Sequence, residues 1–449
     1  MNEQAIQQGV RRAPHDASHQ SGSFPWVLLA IAWVLILCTV NLSDRLNSAV
    51  SLDFTAQLKV GTRLVSFGIL AVMLLWQSTS ARAMAVSKCL LPLGLFVAWG
   101  ALSILWSPLR NVSTGQIGSF AVLVLLAANV ALFWKSAAST SLVFLHLSLA
   151  LLVLSVSMTL AHFLDANTNL GARDQEAVVH STLAAATASL GLILLLGARM
   201  VWGWTWSRVL VVPGVAIHAI QLYLAHSRAA IAATLFVCCL LYLVFVNRHA
   251  IWAGLLFFCL AAVSCLLLDL GLDFVDSAVS SGTQFAQRDD YDSISNLSGR
   301  TEMWEAVWNS YLESPWIGHG YFISSAQGEL EVWYVIGNWT AHNAMLQVLV
   351  STGVIGALLF VWGLWRPVGR MFSALSSGNS NHLLIRFVFV LACWFLIWSL
   401  FNESITGPLQ PECVVFFVIL GLGIGSAITA VRPQTSHESV EPLLNQPAT

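Results

Sequence analysis

The sequence predicts an all-α integral membrane protein with about twelve transmembrane helices. Hydrophobic residues make up 57% of the 449 residues and charged residues only 9%, whereas a soluble domain carries about 25% charged residues. A soluble protein of this composition would expose large apolar patches, so a lipid bilayer is the environment that fits it. The net charge of −2 and the scattered basic residues exclude an electrostatic nucleic-acid interface.

The candidate spans are apolar runs, most of them close to the roughly 20 residues that cross a bilayer. Twelve occur, at residues 25–40, 63–77, 89–106, 117–134, 142–163, 178–197, 208–224, 229–246, 250–272, 342–364, 384–400 and 413–431. The chain is thereby divided into a polar tail (1–24), nine spans (25–272), one long connection (273–341), three spans (342–431) and a second polar tail (432–449).

The distribution of basic residues predicts the orientation. Lys and Arg favour cytoplasmic connections, and placing both tails inside puts twelve of the twenty Lys and Arg residues inside. An even number of spans agrees with this arrangement. The long connection 273–341 is then expected outside.

The long connection is polar but rich in Trp and Tyr, and it contains a helix signal of its own. Met303, Val307 and Tyr311 form an apolar stripe at helical spacing, and Pro315 is expected to end the helix. We expect an amphipathic helix that either lies on the membrane or covers a cavity.

Two arginines and one histidine stand at the starts of predicted helices on the outer face. They are Arg228, Arg300 and His342. A helix N-terminus offers free N–H groups and the positive end of the helix dipole. The planar guanidinium of Arg can also donate paired hydrogen bonds to a phosphate group. Arg173 and Glu403 fall on the same face.

Each of these residues also has a purely structural interpretation. An Arg at a helix end commonly reaches lipid headgroups. A His at the interface is commonly structural, and Asn343 and Gln347, one turn apart, would serve equally to join neighbouring helices. Because the candidates cluster on one face, we favour a functional site.

Three segments carry a family resemblance. Residues 297–304 (LSGRTEMW), 314–321 (SPWIGHGY) and 341–356 (AHNAMLQVLVSTGVIG) resemble, in order and spacing, the signature of the O-antigen ligase and polymerase family. Residues 227–229 (SRA) resemble that family's Ser-Arg element. Residues 171–173 (GAR) resemble more loosely its Arg-containing element before a helix, where the family often has Asn and this chain has His or Ser.

The resemblance implies a GT-C-like helical fold and a glycosyltransferase of a bacterial inner membrane, with its active site facing the periplasm. The donor would be an undecaprenyl-diphosphate-linked glycan. The acceptor would be a lipid A-core sugar in a ligase or another lipid-linked glycan in an O-antigen or exopolysaccharide polymerase. Polysaccharide-assembly proteins are possible partners. No cofactor is implied and no metal, and we interpret the acidic run 289–292 (DDYD) as solvated loop.

The resemblance also implies roles for the site residues. Arg228 and Arg300, with Arg173, would hold the donor diphosphate, and His342 would be the general base of an inverting transfer. Asn343 and Glu403 would support them. Thr340 is expected to cap the following helix, which places His342 in its first turn, where the positive helix end favours a neutral imidazole.

The alternative is a transporter or flippase of the same pathway. Such a protein would be expected to show pseudo-symmetric halves and ionisable residues at mid-membrane. The span centres here are nearly free of charge, and one long connection breaks any symmetry. A transferase is therefore favoured.

Overall fold

The computed structural model describes residues 24–38, 54–164, 181–245, 300–323, 326–327, 330–331, 340–376, 382–406 and 409–430. These ranges form twelve α-helices. In chain order they are α1 (Trp26–Leu37), α2 (Phe54–Trp76), α3 (Ala81–Leu102), α4 (Arg110–Phe133), α5 (Ala137–Leu164), α6 (Ser181–Trp202), α7 (Thr205–Leu224), α8 (Arg228–Phe245), α9 (Arg300–Glu313), α10 (Ala344–Ser376), α11 (His382–Ser399) and α12 (Pro411–Ala430).

Four short elements complete the described structure. Single 3₁₀ turns follow α3 at Ser103–Leu105 and precede α12 at Ser404–Thr406. A two-residue strand β1 (Ala326–Gln327) pairs antiparallel with β2 (Leu330–Glu331). The fold is otherwise helical.

The predicted all-α membrane fold is confirmed. Within the described ranges, nine helices are long and apolar enough to cross a membrane, and α1 and α8 are shorter apolar helices. The predicted span at 250–272 lies outside the described residues, as do most of both tails. Backbone polar groups must be satisfied within the bilayer, so apolar runs of this length become helices.

Helix bounds differ from the predicted spans where polar residues continue a helix beyond its apolar part. The tenth predicted span ends at residue 364, but α10 continues to Ser376 and includes Arg366, Pro367 and Arg370. At the other end, α10 begins at Ala344 and not at His342. Hydropathy measures the apolar length of a segment and does not locate the ends of its helix.

The centre of the bundle is α12, which is buried along almost its whole length. It packs chiefly against α4 and also against α10. At one end of the bundle, the guanidinium of Arg82 donates to the carbonyls of Ala131 (2.8 and 3.1 Å) and Gly425 (3.2 Å). These are carbonyls near the C-terminal ends of α4 and α12, which favour a positive partner.

The opposite end of the bundle holds the connections that carry several of the predicted site residues. We call it the site end and define it by residues 103–110, 225–228, 314–323, 340–344, 400–406 and 409–410. The α9 helix packs there against α10, and its stripe of Met303, Val307 and Tyr311 forms a small buried cluster with Ile323, Ala341 and Val350. The predicted stripe therefore faces protein.

Candidate functional site

His342 and Glu403 form a pair at the site end. His342 Nδ1 lies 3.5 Å from Glu403 Oε2, and the hydroxyl of Thr340 donates to the other carboxylate oxygen at 2.9 Å. The side chain of Glu403 is 8% exposed and that of His342 is 25% exposed. The carboxylate is therefore held inside the protein while the imidazole keeps an open side.

The environment of Glu403 favours its charged form. Burial by itself would raise the pKa of this carboxyl, but the neighbouring imidazole of His342, together with the hydroxyl of Thr340, brings the pKa below its ordinary value. An ionised carboxylate beside Nδ1 stabilises an imidazolium and orients the ring, which leaves Nε2 as the nitrogen for chemistry.

The backbone around His342 is fixed from two sides. The N–H of Ala341 donates to Gln347 Oε1 (3.0 Å), and the carbonyl of Ala341 accepts from the indole of Trp304 on α9 (3.0 Å). His342 itself has φ of 45°, a left-handed conformation that is unusual for a non-glycine residue. Such conformations persist only where surrounding contacts impose them.

Asn343, and not Thr340, caps α10. The Asn343 carboxamide oxygen accepts from the N–H groups of Met345 and Leu346, both at 3.0 Å, which satisfies two free donors of the first turn. Its Nδ2 donates to the carbonyl of Leu400 at 3.3 Å. The expected Thr340 cap was wrong because that hydroxyl binds Glu403, and His342 therefore precedes the helix.

Gln347 ties the preceding loop to α10. It is buried, and its Nε2 donates to the carbonyl of Ile323 (2.8 Å) and to the hydroxyl of Ser351 (3.2 Å). With its bond to Ala341, this one side chain connects three segments of the site end. The structural interpretation of Gln347 as a joining residue therefore describes it well.

Residues 314–321 dock into a break in α10. The backbone of Gly353 has φ 65° and ψ −171°, so the helical ladder is interrupted there. The freed N–H groups of Val354 and Ile355 donate to the carbonyls of Pro315 (2.8 Å) and Trp316 (3.4 Å). In return, the N–H groups of residues 319 and 320 donate to the carbonyls of residues 350 and 351, both at 2.9 Å.

Two glycines make this docking possible. A Cβ on Gly353 would lie 2.2 Å from the backbone carbon of Trp316, and one on Gly318 would lie 2.4 Å from that of Ser351. Both glycines also have positive φ, which side chains disfavour. The loop and the helix therefore approach backbone to backbone.

Tyr321 links the same loop to the segment that carries Glu403. Its buried hydroxyl donates to the carbonyl of Thr406, and its N–H donates to the hydroxyl of Ser103 at 2.9 Å. The hydroxyl of Thr406 in turn donates to the carbonyl of Glu403 at 2.6 Å. The loop 314–321 thus supports both sides of the His342–Glu403 pair.

The arginines lie at helix starts as predicted, although their side chains are outside the described structure. Arg300 is the first residue of α9, one turn before Trp304. Arg228 is the first residue of α8, where the Ser227 hydroxyl accepts from the N–H of Ala230 at 3.4 Å. Arg173 lies outside the described residues.

Helix packing places Arg228 at the site end. Gln221, near the end of α7, donates to the carbonyl of Ala184 near the start of α6 (3.0 Å). The other end of α6, at Gly197, packs on Phe387 near the start of α11. The turn 225–228 is therefore level with the end of α11, and Leu400, the residue that follows α11, accepts a hydrogen bond from Asn343.

Sequence reasoning missed the residues that hold the site in shape. Trp304 and Tyr321 lie within the three segments that carry the resemblance, so their positions were marked but their contacts were not. Gln347 was expected to join neighbouring helices, and the structure shows which segments it joins. In the described ranges, the non-glycine residues with positive φ are His226, Phe322 and His342, all at the site end. No group of three potential metal ligands occurs in those ranges, and the acidic run 289–292 lies outside them.

The fold and the site together define a polytopic helical membrane protein with a histidine–carboxylate pair at one end of its bundle. Residues 213–361 match the family model described as O-antigen ligase, which assigns this part of the chain to the O-antigen ligase family and confirms the resemblance. No curated protein matches the chain.

The matched segment runs from α7 to the middle of α10. It contains Arg228, Arg300 and His342 but neither Arg173 nor Glu403. The match supports a membrane function of the O-antigen ligase or polymerase type and a glycosyltransferase-like enzyme. It does not favour the transporter alternative.

Proposed function

We propose that this protein transfers a glycan from an undecaprenyl-diphosphate donor to a sugar hydroxyl during surface-polysaccharide assembly. The observation that carries the proposal is the His342–Glu403 pair, 3.5 Å apart, next to the start of α10. A partly exposed imidazole backed by a buried carboxylate is suited to remove a proton from an attacking hydroxyl.

The proposed chemical step is a single displacement. The acceptor oxygen attacks the anomeric carbon, and the bond from that carbon to the diphosphate oxygen breaks, with its electron pair leaving on the diphosphate. His342 Nε2 takes the hydroxyl proton, and Glu403 stabilises the imidazolium through Nδ1. Attack opposite the leaving group inverts the anomeric centre.

The leaving diphosphate needs positive partners. In the proposal, Arg228 and Arg300, with Arg173, supply them, since guanidinium groups bind phosphate oxygens in pairs and stabilise the growing negative charge. Helix starts at Arg228 and Arg300 add N–H dipoles. Asn343 orders the start of α10 beside them. The step as written uses neither a metal ion nor a cofactor.

The proposed location is a bacterial inner membrane, with both tails in the cytoplasm, residues 273–341 outside and the site facing the periplasm. The acceptor is either a lipid A-core sugar or a second lipid-linked glycan. Proteins of polysaccharide assembly are candidate partners there.

The decisive experiment uses purified protein in lipid vesicles with a labelled undecaprenyl-diphosphate glycan. His342→Gln keeps hydrogen bonding but removes the base, so we expect transfer to fall by about two orders of magnitude or more, with donor binding retained. Offering lipid A-core and lipid-linked glycan as separate acceptors distinguishes ligase from polymerase.

The matched control is His382→Gln, the same change at the first residue of α11, at the opposite end of the bundle. Its transfer rate should equal that of the unaltered protein. A His342→Gln protein that transfers glycan at the unaltered rate would contradict the general-base role.

A further inference from the structure

The α9 helix has three different faces. One face, with Met303 and Val307, is buried against α10. The exposed surface divides into an apolar strip with Trp308 (45% exposed) and Leu312 (55% exposed), and a polar strip with Asn309 and Glu313. At about 100° per residue, the two strips are displaced by about 100° around the helix axis.

The apolar strip continues into residues 316 and 317, alongside the membrane-spanning part of α10. Trp316 is 68% exposed and Ile317 is 39% exposed. The carbonyl of Trp316 accepts from the N–H of Ile355, eleven residues after the first residue of α10. At about 1.5 Å per residue this level is roughly 16 Å along α10 from its start.

The surface of α10 at that level is apolar and exposed. Ile355, Leu358, Trp362 and Trp365 follow one another at helical spacing and are all exposed by more than a third. They belong to a helix long and apolar enough to span a membrane, so this exposed stripe is suited to contact lipid. Trp316 lies next to the upper end of the stripe, and the two apolar surfaces are therefore continuous.

We propose that α9 and residues 314–317 form an interfacial wedge, inserted into the lipid leaflet at the site end of the bundle. Trp308, Leu312, Trp316 and Ile317 contact lipid, and the polar strip of α9 faces water. Trp side chains concentrate at membrane interfaces, and a helix with one apolar and one polar face lies in the interface plane. The apolar strip is covered by bulk lipid of that leaflet.

The wedge does not depend on the proposed chemistry. Its position indicates the depth at which residues 340–344 lie relative to the membrane. Residues 340–344 lie roughly 16 Å above Trp316 along α10. If residues 314–317 contact acyl chains, residues 340–344 lie at the level of the lipid headgroups.

The test measures depth in the bilayer with nitroxide labels. Single cysteines are introduced by Leu312→Cys, Trp316→Cys and Asn309→Cys in a background in which the eight native cysteines are replaced. The protein is placed in vesicles of phosphatidylethanolamine and phosphatidylglycerol. Collision rates are measured with oxygen, which concentrates in lipid, and with a nickel chelate, which stays in water.

We expect the ratio of oxygen to nickel accessibility to be several-fold higher at positions 312 and 316 than at the control position 309. Equal ratios at the three positions would overturn the wedge. Exclusion of both reagents from 312 and 316 would also overturn it, because protein would then cover the strip. If Trp316→Cys does not yield folded protein, Ile317→Cys replaces it as a label site at the same depth.

Discussion

At the scale of single residues, the His342–Glu403 pair is the feature with the clearest chemical consequence. The two residues come from different connections, and Thr340 completes the carboxylate's hydrogen bonds. A buried carboxylate with two partners is an effective orienting group because it has little freedom to move. In the proposed function, Glu403 is a positioning residue that acts through His342.

We expect Glu403→Gln to lower the rate of glycan transfer by about tenfold to a hundredfold, since the imidazolium loses its counter-charge. The loss should appear in kcat, with donor affinity nearly unchanged. The measurement is steady-state transfer by purified protein at several donor concentrations. Glu305→Gln, the same change at an exposed position of α9, is the control.

The same carboxylate gives a direction for the pH dependence of stability. Because the pKa of Glu403 is lowered in the folded protein, its pairing stabilises the fold above the ordinary carboxyl range and is lost as the pH falls through the lowered value. We expect the Glu403→Gln protein to lack this loss of stability at acid pH.

In the kinetic experiment, a Glu403→Gln protein with unaltered kcat would show that the His342–Glu403 pair is only a structural contact.

The sequence could predict which residues share a face but not which of them touch. Counting spans placed His342 and Glu403 together, because the ends of alternate helices meet at one face. Their contact depends on how α10, α11 and α12 pack, which no local pattern reports. The capping role of Asn343 was missed although Asn is a better N-cap residue than Thr. The reason is that Glu403, which accepts the hydrogen bond of the Thr340 hydroxyl, is distant in sequence.

At the scale of elements, the break in α10 organises the site. The loop 314–321 satisfies backbone groups that the break leaves free, as buried backbone groups require. The resemblance marked both segments, but the sequence could not predict that they dock on each other. It likewise predicted the apolar stripe of α9 correctly, whereas its partner, α10, follows only from the packed structure.

We expect Gly353→Ala to destabilise the protein and to impair transfer. A side chain at positive φ costs about 1 kcal/mol or more, and its Cβ would also meet the Trp316 backbone at 2.2 Å. Thermal unfolding in detergent and transfer rate are the measurements.

The control is Gly369→Ala on the same helix, where a Cβ would have no neighbour within 4 Å. Replacing that helical glycine should leave stability unchanged or raise it by up to about 1 kcal/mol. Equal stability of the two alanine proteins would show that the docking at Gly353 tolerates a side chain.

At the scale of the whole molecule, hydropathy predicted the helices well because a bilayer allows few other structures. It could not predict that α12 is central, since all the spans are similarly apolar and differ mainly in the partners they meet. The orientation of the bundle is predicted from the distribution of basic residues. The predicted location of the site follows from that orientation.

Labelling of introduced cysteines tests that orientation. Glu313→Cys is exposed at the site end and Ser376→Cys is exposed at the opposite end. In intact cells, a thiol reagent that cannot cross the inner membrane should label the first and not the second. Labelling of Ser376→Cys alone would place the site end in the cytoplasm and contradict the proposed donor arrangement.

The break in α10 also constrains the order in which the site can form during synthesis. The ribosome delivers residues 314–321 before α10, so the loop has no place to dock until a later helix has been made and inserted. Glu403 follows still later, just before α12. A nascent chain that ends after α10 can seat the loop but has no carboxylate for His342. The His342–Glu403 pair is therefore incomplete until the connection between α11 and α12 has been made.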